Sequence, residues 1–278
     1  MNATPAGNPS VINAADAFAA ERSILAVRNL SVRFGGLQAV RSVSFEVAVG
    51  KITALIGPNG AGKTTVFNLI TGAVPADEGV ILFRGEDITN VPSHGFAGRG
   101  LSRTFQDIRL FRGMTALENV MIGFQRVKGE DFASPLFRWR QTRTAEREGA
   151  RRALELMEQW RLGGVAHRIA ADLSYPEQKL VAIARALAAE PKLLLLDEPL
   201  SGLSGTAVEE MLSYLSRLVQ SGCALLLVEH NIGAVMRISD HIVVMHLGEK
   251  IAEGPPSAIS RHARVREVYL GAKRDTRS

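Results

Sequence analysis

A nine-residue segment in the first quarter of the chain has the residue types and spacing needed to hold a polyphosphate. It reads Gly57-Pro58-Asn59-Gly60-Ala61-Gly62-Lys63-Thr64-Thr65, between a β-branched run at 52–56 and a helical pattern that starts at Val66. Glycines at both ends let the backbone turn tightly with its N–H groups inward, and the following helix directs its positive N-terminus at the same charge. We predict a phosphate loop, residues 57–65, in which all nine residues bind nucleotide. The alternative is a glycine-rich turn that binds nothing.

Two side chains of the phosphate loop predict what it binds. The Lys63 ammonium is placed to reach the β- and γ-phosphates, and the Thr64 hydroxyl is placed to coordinate Mg²⁺. ATP and Mg²⁺ are therefore the expected cofactors.

A second segment supplies adjacent carboxylates. Four leucines at 193–196 read as a buried strand and are followed by Asp197 and Glu198. In a phosphate-loop fold the neighbouring strand carries an acid that holds the metal directly or through water, which fits Asp197. Glu198 points elsewhere and is free to polarise an attacking water, a role worth about 10² to 10⁴ in rate. The alternative is a strand that ends in two solvated acids.

Composition limits the class of protein. The chain has 278 residues, 46% hydrophobic and 22% charged, which is typical of a globular domain. Its single cysteine, Cys223, excludes an internal disulfide and is expected to pack in the core. No apolar stretch approaches the roughly 20 residues that cross a bilayer, so we expect any membrane association to depend on a partner.

The net charge of +5 is concentrated at 126–152 and from Arg261 onward. Nucleic acid is one explanation for a basic surface. The absence of interleaved aromatic residues favours a solvated helix face, or contact with a membrane-embedded partner near anionic lipid, over nucleic acid.

The pattern of elements predicts an α/β fold with a nucleotide-binding core, an antiparallel β layer and an inserted α-helical lobe. A capping box at Thr115 and Glu118 begins a series of predicted helices that no predicted strand interrupts. The lobe is therefore expected at about 110–173. Residues 1–22 are expected to be a flexible leader, 23–271 one domain, and 272–278 a flexible basic tail. The strands are predicted at 24–34, 43–47, 80–83, 101–105, 193–196, 225–228, 242–245 and 250–252.

From about residue 24 to 271 the sequence resembles the ATP-binding subunit of an ABC transporter. The resemblance implies a RecA-like phosphate-loop core and three further site residues. Phe34 takes the place of the aromatic residue that stacks on adenine, more often Tyr. Gln106 matches the glutamine that links the metal and the attacking water to the inserted lobe. His230 matches the switch histidine that contacts the γ-phosphate.

The signature segment departs from the family pattern Leu-Ser-Gly-Gly-Gln. Here it reads Leu173-Ser174-Tyr175-Pro176-Glu177-Gln178. In the family this segment reaches across a dimer interface to the γ-phosphate of the other subunit, so Ser174, Glu177 and Gln178 are the expected contacts. Pro176 has no N–H, which removes one donor but suits the first turn of a helix. A second departure is Ser204, where the family's dimer-contacting loop commonly ends in Asp.

Softer markers favour the ATPases of branched-chain amino-acid importers. These are Arg33-Phe34-Gly35-Gly36-Leu37, Arg103-Thr104-Phe105-Gln106, Leu110-Phe111-Arg112, Tyr175 and Val268-Tyr269-Leu270-Gly271. ATPases for urea, amide or other amino-acid import share them, as in part does the lipopolysaccharide-export ATPase.

The resemblance implies a second ABC ATPase subunit, in a homodimer or a heterodimer, and two membrane permeases. It also implies an extracytoplasmic solute-binding protein as an indirect partner and a place on the cytoplasmic face of the inner or plasma membrane. Two other hypotheses have less support. A soluble ABC ATPase acting on nucleic acid or ribosomes typically has tandem domains or a long coiled coil, which this chain lacks. The intact set of Lys63, Asp197, Glu198 and His230 argues against a non-hydrolysing structural partner that binds ATP and only completes a heterodimer.

Overall fold

The structure, a computed structural model, describes residues 23–104, 108–124 and 138–275. Within those ranges no helix is both long enough and apolar enough to cross a membrane. The strands are β1 (Ser23–Phe34), β2 (Leu37–Ala48), β3 (Ile52–Ile56), β4 (Glu78–Phe83), β5 (Glu86–Asp87), β6 (Leu101–Arg103), β7 (Leu193–Asp197), β8 (Ala224–Val228), β9 (His241–His246) and β10 (Glu249–Gly254). The α-helices are α1 (Lys63–Ile70), α2 (Ala116–Phe124), α3 (Arg138–Gln159), α4 (Tyr175–Leu187), α5 (Thr206–Gln220), α6 (Ile232–Ile238), α7 (Pro256–Ile259) and α8 (Ala263–Asp275).

A six-stranded sheet forms the centre of the molecule, in the order β10-β9-β3-β8-β7-β6. All its neighbouring strands are parallel except the β9–β10 hairpin. Every residue of β3, β7 and β8 is buried, because helices or the second sheet cover both faces, which explains their continuous apolar runs. Parallel strands end at one edge, so the segments after β3, β7 and β8 converge there.

A four-stranded antiparallel sheet, in the order β2-β1-β4-β5, packs against helix α1 and the central sheet. The predicted antiparallel layer is therefore confirmed, although β2 begins at Leu37, several residues before the expected start. Gly35 makes the turn between β1 and β2 with a φ of 57°, in the left-handed region that glycine tolerates.

The segment at 110–173 contains α2, α3 and two 3₁₀ turns, and no named strand in its described part. The predicted capping box is present, since the Glu118 carboxylate accepts from Thr115 N and Oγ1 at 2.7 and 2.9 Å. The segment returns alongside its own start, where Ala170 N donates to Met114 O at 2.8 Å. The inserted helical lobe is thus confirmed.

One aromatic pair joins the lobe to the core. Trp160, just after α3, stacks on Tyr214 of α5 with ring centroids 5.0 Å apart and planes 13° from parallel. The Arg217 guanidinium lies 4.6 Å from the Tyr214 ring centroid. Both rings are buried, so the pair combines apolar burial with a preferred stacking geometry.

Two other boundaries differ from the sequence predictions. Strand β6 ends at Arg103 rather than at 105, and helix α8 extends to Asp275, so residues 272–275 of the predicted tail continue a helix. The basic composition of α8 gave no clear apolar period. Cys223 is buried as predicted, and burial raises the pKa of its thiol to about 11. The leader at 1–22 and residues 276–278 lie outside the described residues.

Replacing Trp160 by alanine should lower the free energy of unfolding by about 3–5 kcal/mol, because a buried aromatic side chain is lost and its cavity remains. Urea denaturation followed by far-ultraviolet circular dichroism measures the change. Val49→Ala is the control: Val49 is 53% exposed, and its loss should change the free energy of unfolding by no more than about 0.5 kcal/mol. Equal effects of the two substitutions would contradict the anchoring role of the aromatic pair.

Candidate nucleotide site

An open cavity of about 1040 Å³ lies at the edge of the central sheet where the parallel strands end. It brings together most of the predicted site residues. The residues that line it include Phe34, Leu37, Asn59, Gly60, Ala61, Gly62, Lys63, Thr64, Thr65, Glu198, His230, Leu247 and Gly248. Sequence segments more than 150 residues apart therefore meet in one site.

The phosphate loop is held by close backbone approach on one side. A Cβ atom at Gly57 would collide with the Met245 carbonyl, and a Cβ at Gly62 would lie 2.6 Å from the Ala39 carbonyl oxygen. Gly62 also has a φ of 96°, and it caps α1. The Gly248 N–H donates to Ala61 O at 3.1 Å, which ties the loop to the β9–β10 turn. Glycine is thus required at both ends of the loop.

Lys63 is buried inside its own loop. Its Nζ donates to the carbonyl oxygens of Gly57 and Pro58 at 2.8 and 2.9 Å. Burial lowers the pKa of this ammonium, while the charges of Glu198 and Asp197 oppose that change. The two carboxylates thus favour the charged form that a polyphosphate requires.

Glu198 and His230 face each other across the cavity. His230 Nε2 lies 2.7 Å from Glu198 Oε1, so the two side chains share a hydrogen bond. Glu198 follows β7 and His230 follows β8, two adjacent parallel strands. The sheet geometry alone therefore brings together a carboxylate and an imidazole that are 32 residues apart in sequence.

Asp197 is buried at the end of β7, and only one of its two carboxylate oxygens is hydrogen-bonded to a described residue. Arg103 Nη2 donates to its Oδ2 at 3.1 Å, while Oδ1 has no hydrogen-bond partner within the described ranges. Burial raises the pKa of this carboxyl, and the charge of Arg103 opposes the shift. A buried carboxylate oxygen without a partner suits a hard cation such as Mg²⁺. Asp197 and Thr64 thus have oxygen donors of the kind that Mg²⁺ prefers, although Asp197 is not among the residues that line the cavity.

Exposed apolar side chains also line the cavity. Phe34, Leu37 and Leu247 are 48%, 69% and 72% exposed, and all three are among its lining residues. Exposed aromatic and aliphatic groups at the rim of a polar cavity offer a flat surface for a planar ring. Their position agrees with the expected base-stacking role of Phe34.

The signature segment is not among the residues that line this cavity. Ser174 is the N-cap of α4, and the Glu177 carboxylate accepts from its N and Oγ at 2.7 and 2.8 Å. Gln178 Nε2 donates back to Leu173 O at 2.8 Å. The Ser174 hydroxyl proton is therefore already bonded within the chain. Gln106 lies outside the described residues.

Three site residues were not singled out from the sequence: Arg103, Lys179 and Glu229. Arg103 holds Asp197, and Lys179 and Glu229 bind the backbone that follows β7. The sequence could have indicated Glu229, because it is an acid directly after an apolar run. Asp197 follows the leucines at 193–196 in the same way. Lys179 and Arg103 had no such indication in the sequence, because their burial depends on tertiary packing.

Comparison with known proteins shows the family. Residues 40–201 match the family model described as ABC transporter, and residues 249–275 match the one described as branched-chain amino acid ATP-binding cassette transporter. The chain is 40% identical to the high-affinity branched-chain amino acid transport ATP-binding protein BraF of Pseudomonas aeruginosa, over 90% of this chain and 98% of that one.

Two further similarities agree. The chain is 39% identical to LivG of Escherichia coli K12, described in the same words as BraF, over 89% of this chain and 98% of LivG. A solved ATP-binding cassette of an ABC transporter in its ADP conformation superposes with a TM-score of 0.78 at 34% identity, covering 90% of this chain and 99% of that one. The motifs, the fold and these similarities together show that the chain belongs to the ABC transporter family, as one of its ATP-hydrolysing nucleotide-binding cassettes.

Proposed function

We propose that this chain energises the import of branched-chain amino acids, or of closely related amino acids or amides, by hydrolysing ATP. The single observation that carries the proposal is the match of residues 249–275 to the branched-chain cassette model. This match covers β10 and the C-terminal helices, outside the motifs that ABC ATPases share. No residue of the cassette is expected to contact the transported solute. The class of the solute is therefore proposed from similar proteins and not from a pocket in this chain.

In this proposal ATP lies along the cavity with its adenine on Phe34 and its phosphates in the loop at 57–65. Lys63 leaves the carbonyl oxygens of Gly57 and Pro58 for the β- and γ-phosphates. Mg²⁺, held by Thr64, Asp197 and Gln106, would neutralise charge on the same phosphates. The bonded Oδ2 of Asp197 keeps its free Oδ1 in place for this role.

Glu198 is the proposed base, and His230 its partner. Glu198 Oε1 accepts a proton from the attacking water as the water approaches the γ-phosphate. His230, 2.7 Å from the same oxygen, fixes the carboxylate and contacts the γ-phosphate. Most of the rate enhancement then comes from positioning and charge neutralisation.

A second cassette completes the site. The signature residues Ser174, Glu177 and Gln178 lie outside the cavity, which supports their proposed use at a partner's phosphates. Here Ser174 is bonded to Glu177, Pro176 has no N–H, and the Glu177 carboxylate is negative. We infer that, in a heterodimer, the site on this chain's own loop is completed by the partner's signature and is the more active one, whereas the site on the partner's loop is completed by this chain's signature and is slower.

A groove of about 530 Å³ between the core and the lobe is the proposed seat of a permease. Leu101, Arg109, Ile122, Ala182 and Arg185 are among its lining residues. Gln106, three residues after the end of β6 in sequence, lies outside the described residues and is proposed to belong to the same permease contact. Two permeases, one on each cassette, would hold the dimer at the cytoplasmic face of the membrane, with a solute-binding protein on the other side.

Deletion of the gene in its host tests the transport function. Uptake of radiolabelled leucine should fall to background and should return with the wild-type chain, but not with Lys63→Ala, which lacks the phosphate-binding ammonium. Labelled urea and a short amide are measured in parallel. If the deletion strain takes up leucine normally but loses urea or amide uptake, the chain belongs to an importer of urea or amides instead. Intact uptake of all three would contradict an import role.

Glu198→Gln should lower ATP turnover at this chain's own loop by about 10² to 10⁴, because the amide cannot accept the proton, while ATP binding is retained. Phosphate release and binding of a fluorescent ATP analogue measure the two effects. Glu209→Gln is the control, since Glu209 pairs with Arg237 on an exposed surface. Turnover at half or more of the wild-type value would show that Glu198 is not the base.

Pro176→Gly combined with Glu177→Ala should raise hydrolysis at the site that this signature completes by about 30-fold. The double change restores an N–H and frees the Ser174 hydroxyl, each worth about 1 kcal/mol. Turnover is measured in a heterodimer after Glu198→Gln has silenced this chain's own loop. Glu118→Ala, which removes the matching acceptor of the α2 capping box, is the control. An unchanged rate would show that the altered signature is fully functional.

A further inference from the structure

The backbone directly after β7 has a conformation that needs outside support. Glu198 has a φ of 50°, in the left-handed region that costs a residue with a side chain about 1–2 kcal/mol. The conformation turns the chain sharply, so that the Glu198 side chain enters the cavity while Pro199 and Leu200 are buried. Such strain persists only where the surroundings hold it.

Lys179 holds the carbonyl side of this turn. It lies on α4 and is only 6% exposed. Its Nζ donates to Glu198 O at 2.9 Å and to Pro199 O at 3.1 Å, and it lies 5.3 Å from the centre of the Tyr175 ring. Burial lowers the pKa of this ammonium, whereas the charges of Glu229 and Glu198 oppose the change.

Glu229 holds the amide side of the same turn. It follows β8 and is 3% exposed. Its Oε1 accepts from Leu200 N at 2.6 Å, and its Oε2 accepts from His230 N at 3.1 Å. One carboxylate therefore binds the backbones of both segments that carry the reacting pair, Glu198 and His230.

We propose that Lys179 and Glu229 are positioning residues for ATP hydrolysis, which together clamp the backbone of Glu198 and His230 so that their side chains meet in the cavity. The proposal rests on the role of Glu198 given above. Neither residue is among those that line the nucleotide cavity, so neither is expected to touch ATP. Charged groups suit the task because hydrogen bonds to ions are roughly twice as strong as neutral ones. The opposite charges also compensate each other in the interior.

The clamp has a consequence for the dimer. Lys179 lies only five residues after Ser174, on the helix whose first turn is the signature. That turn is proposed to serve the partner's ATP, whereas Lys179 binds the catalytic segment of its own chain. A shift of α4 on closure of one site would thus alter the geometry of Glu198 in the other.

Steady-state hydrolysis and ATP binding by the purified full-length chain, with Lys179→Met and Glu229→Gln, test the clamp. We expect kcat to fall at least tenfold, while the affinity for a fluorescent ATP analogue changes less than twofold. Lys179→Arg, which keeps the donor and the charge, should recover part of the loss. Lys51→Met is the control, because Lys51 is a lysine that donates to the Asp240 carboxylate at 2.9 Å and is not among the residues that line the cavity.

Glu198→Gln is measured beside these variants. If Glu198→Gln keeps its turnover, the proposed base is wrong, and the clamp as a device for positioning it is wrong too. If Glu198→Gln is inactive but Lys179→Met and Glu229→Gln keep kcat within twofold of the wild type, the clamp alone is wrong. A fall in kcat that follows a parallel loss of ATP binding would also overturn it. Should neither variant fold, Glu229→Asp, which keeps the charge but withdraws it by one methylene, should still lower kcat at least threefold with ATP affinity unchanged.

Discussion

The parallel pairing of β3, β7 and β8 is the constraint on which the site depends. It places the phosphate loop, the Asp197–Glu198 pair and His230 at one edge of one sheet. Because these strands are buried on both faces, their register is fixed by packing, and the segments that follow them have little freedom to move apart. The distance of 2.7 Å between Glu198 and His230 follows from that arrangement.

Burying so many polar groups at one edge requires that each be bonded. Arg103 binds Asp197, Lys179 binds two carbonyl groups, and Glu229 binds two amide groups. Each of these ions would be costly to bury alone, so they stabilise the site only as a connected set. The one buried carboxylate oxygen without a partner in the described part of the chain, Asp197 Oδ1, lies where a metal ligand is expected.

Much of the fold followed from sequence, because apolar runs such as 193–196 and turn residues such as Gly35 act locally. The phosphate loop and the acidic pair were also readable as patterns. The clamp was not, because Lys179 is buried only through packing of α4 against the segment after β7. Nor was the bond between Ser174 and Glu177 foreseen, although capping-box spacing was present. Local rules predicted the elements, and long-range contacts decided which side chains support the chemistry.

A crystal structure of the full-length chain with Mg²⁺ and a non-hydrolysable ATP analogue tests the central claim most directly. We predict phosphates in the loop at 57–65 against Lys63, a metal ion on Thr64 and Asp197, and the base on Phe34. The γ-phosphate should face Glu198 and His230. A nucleotide bound away from the loop, or a metal ion that contacts Asp197 neither directly nor through a water molecule, would contradict the account.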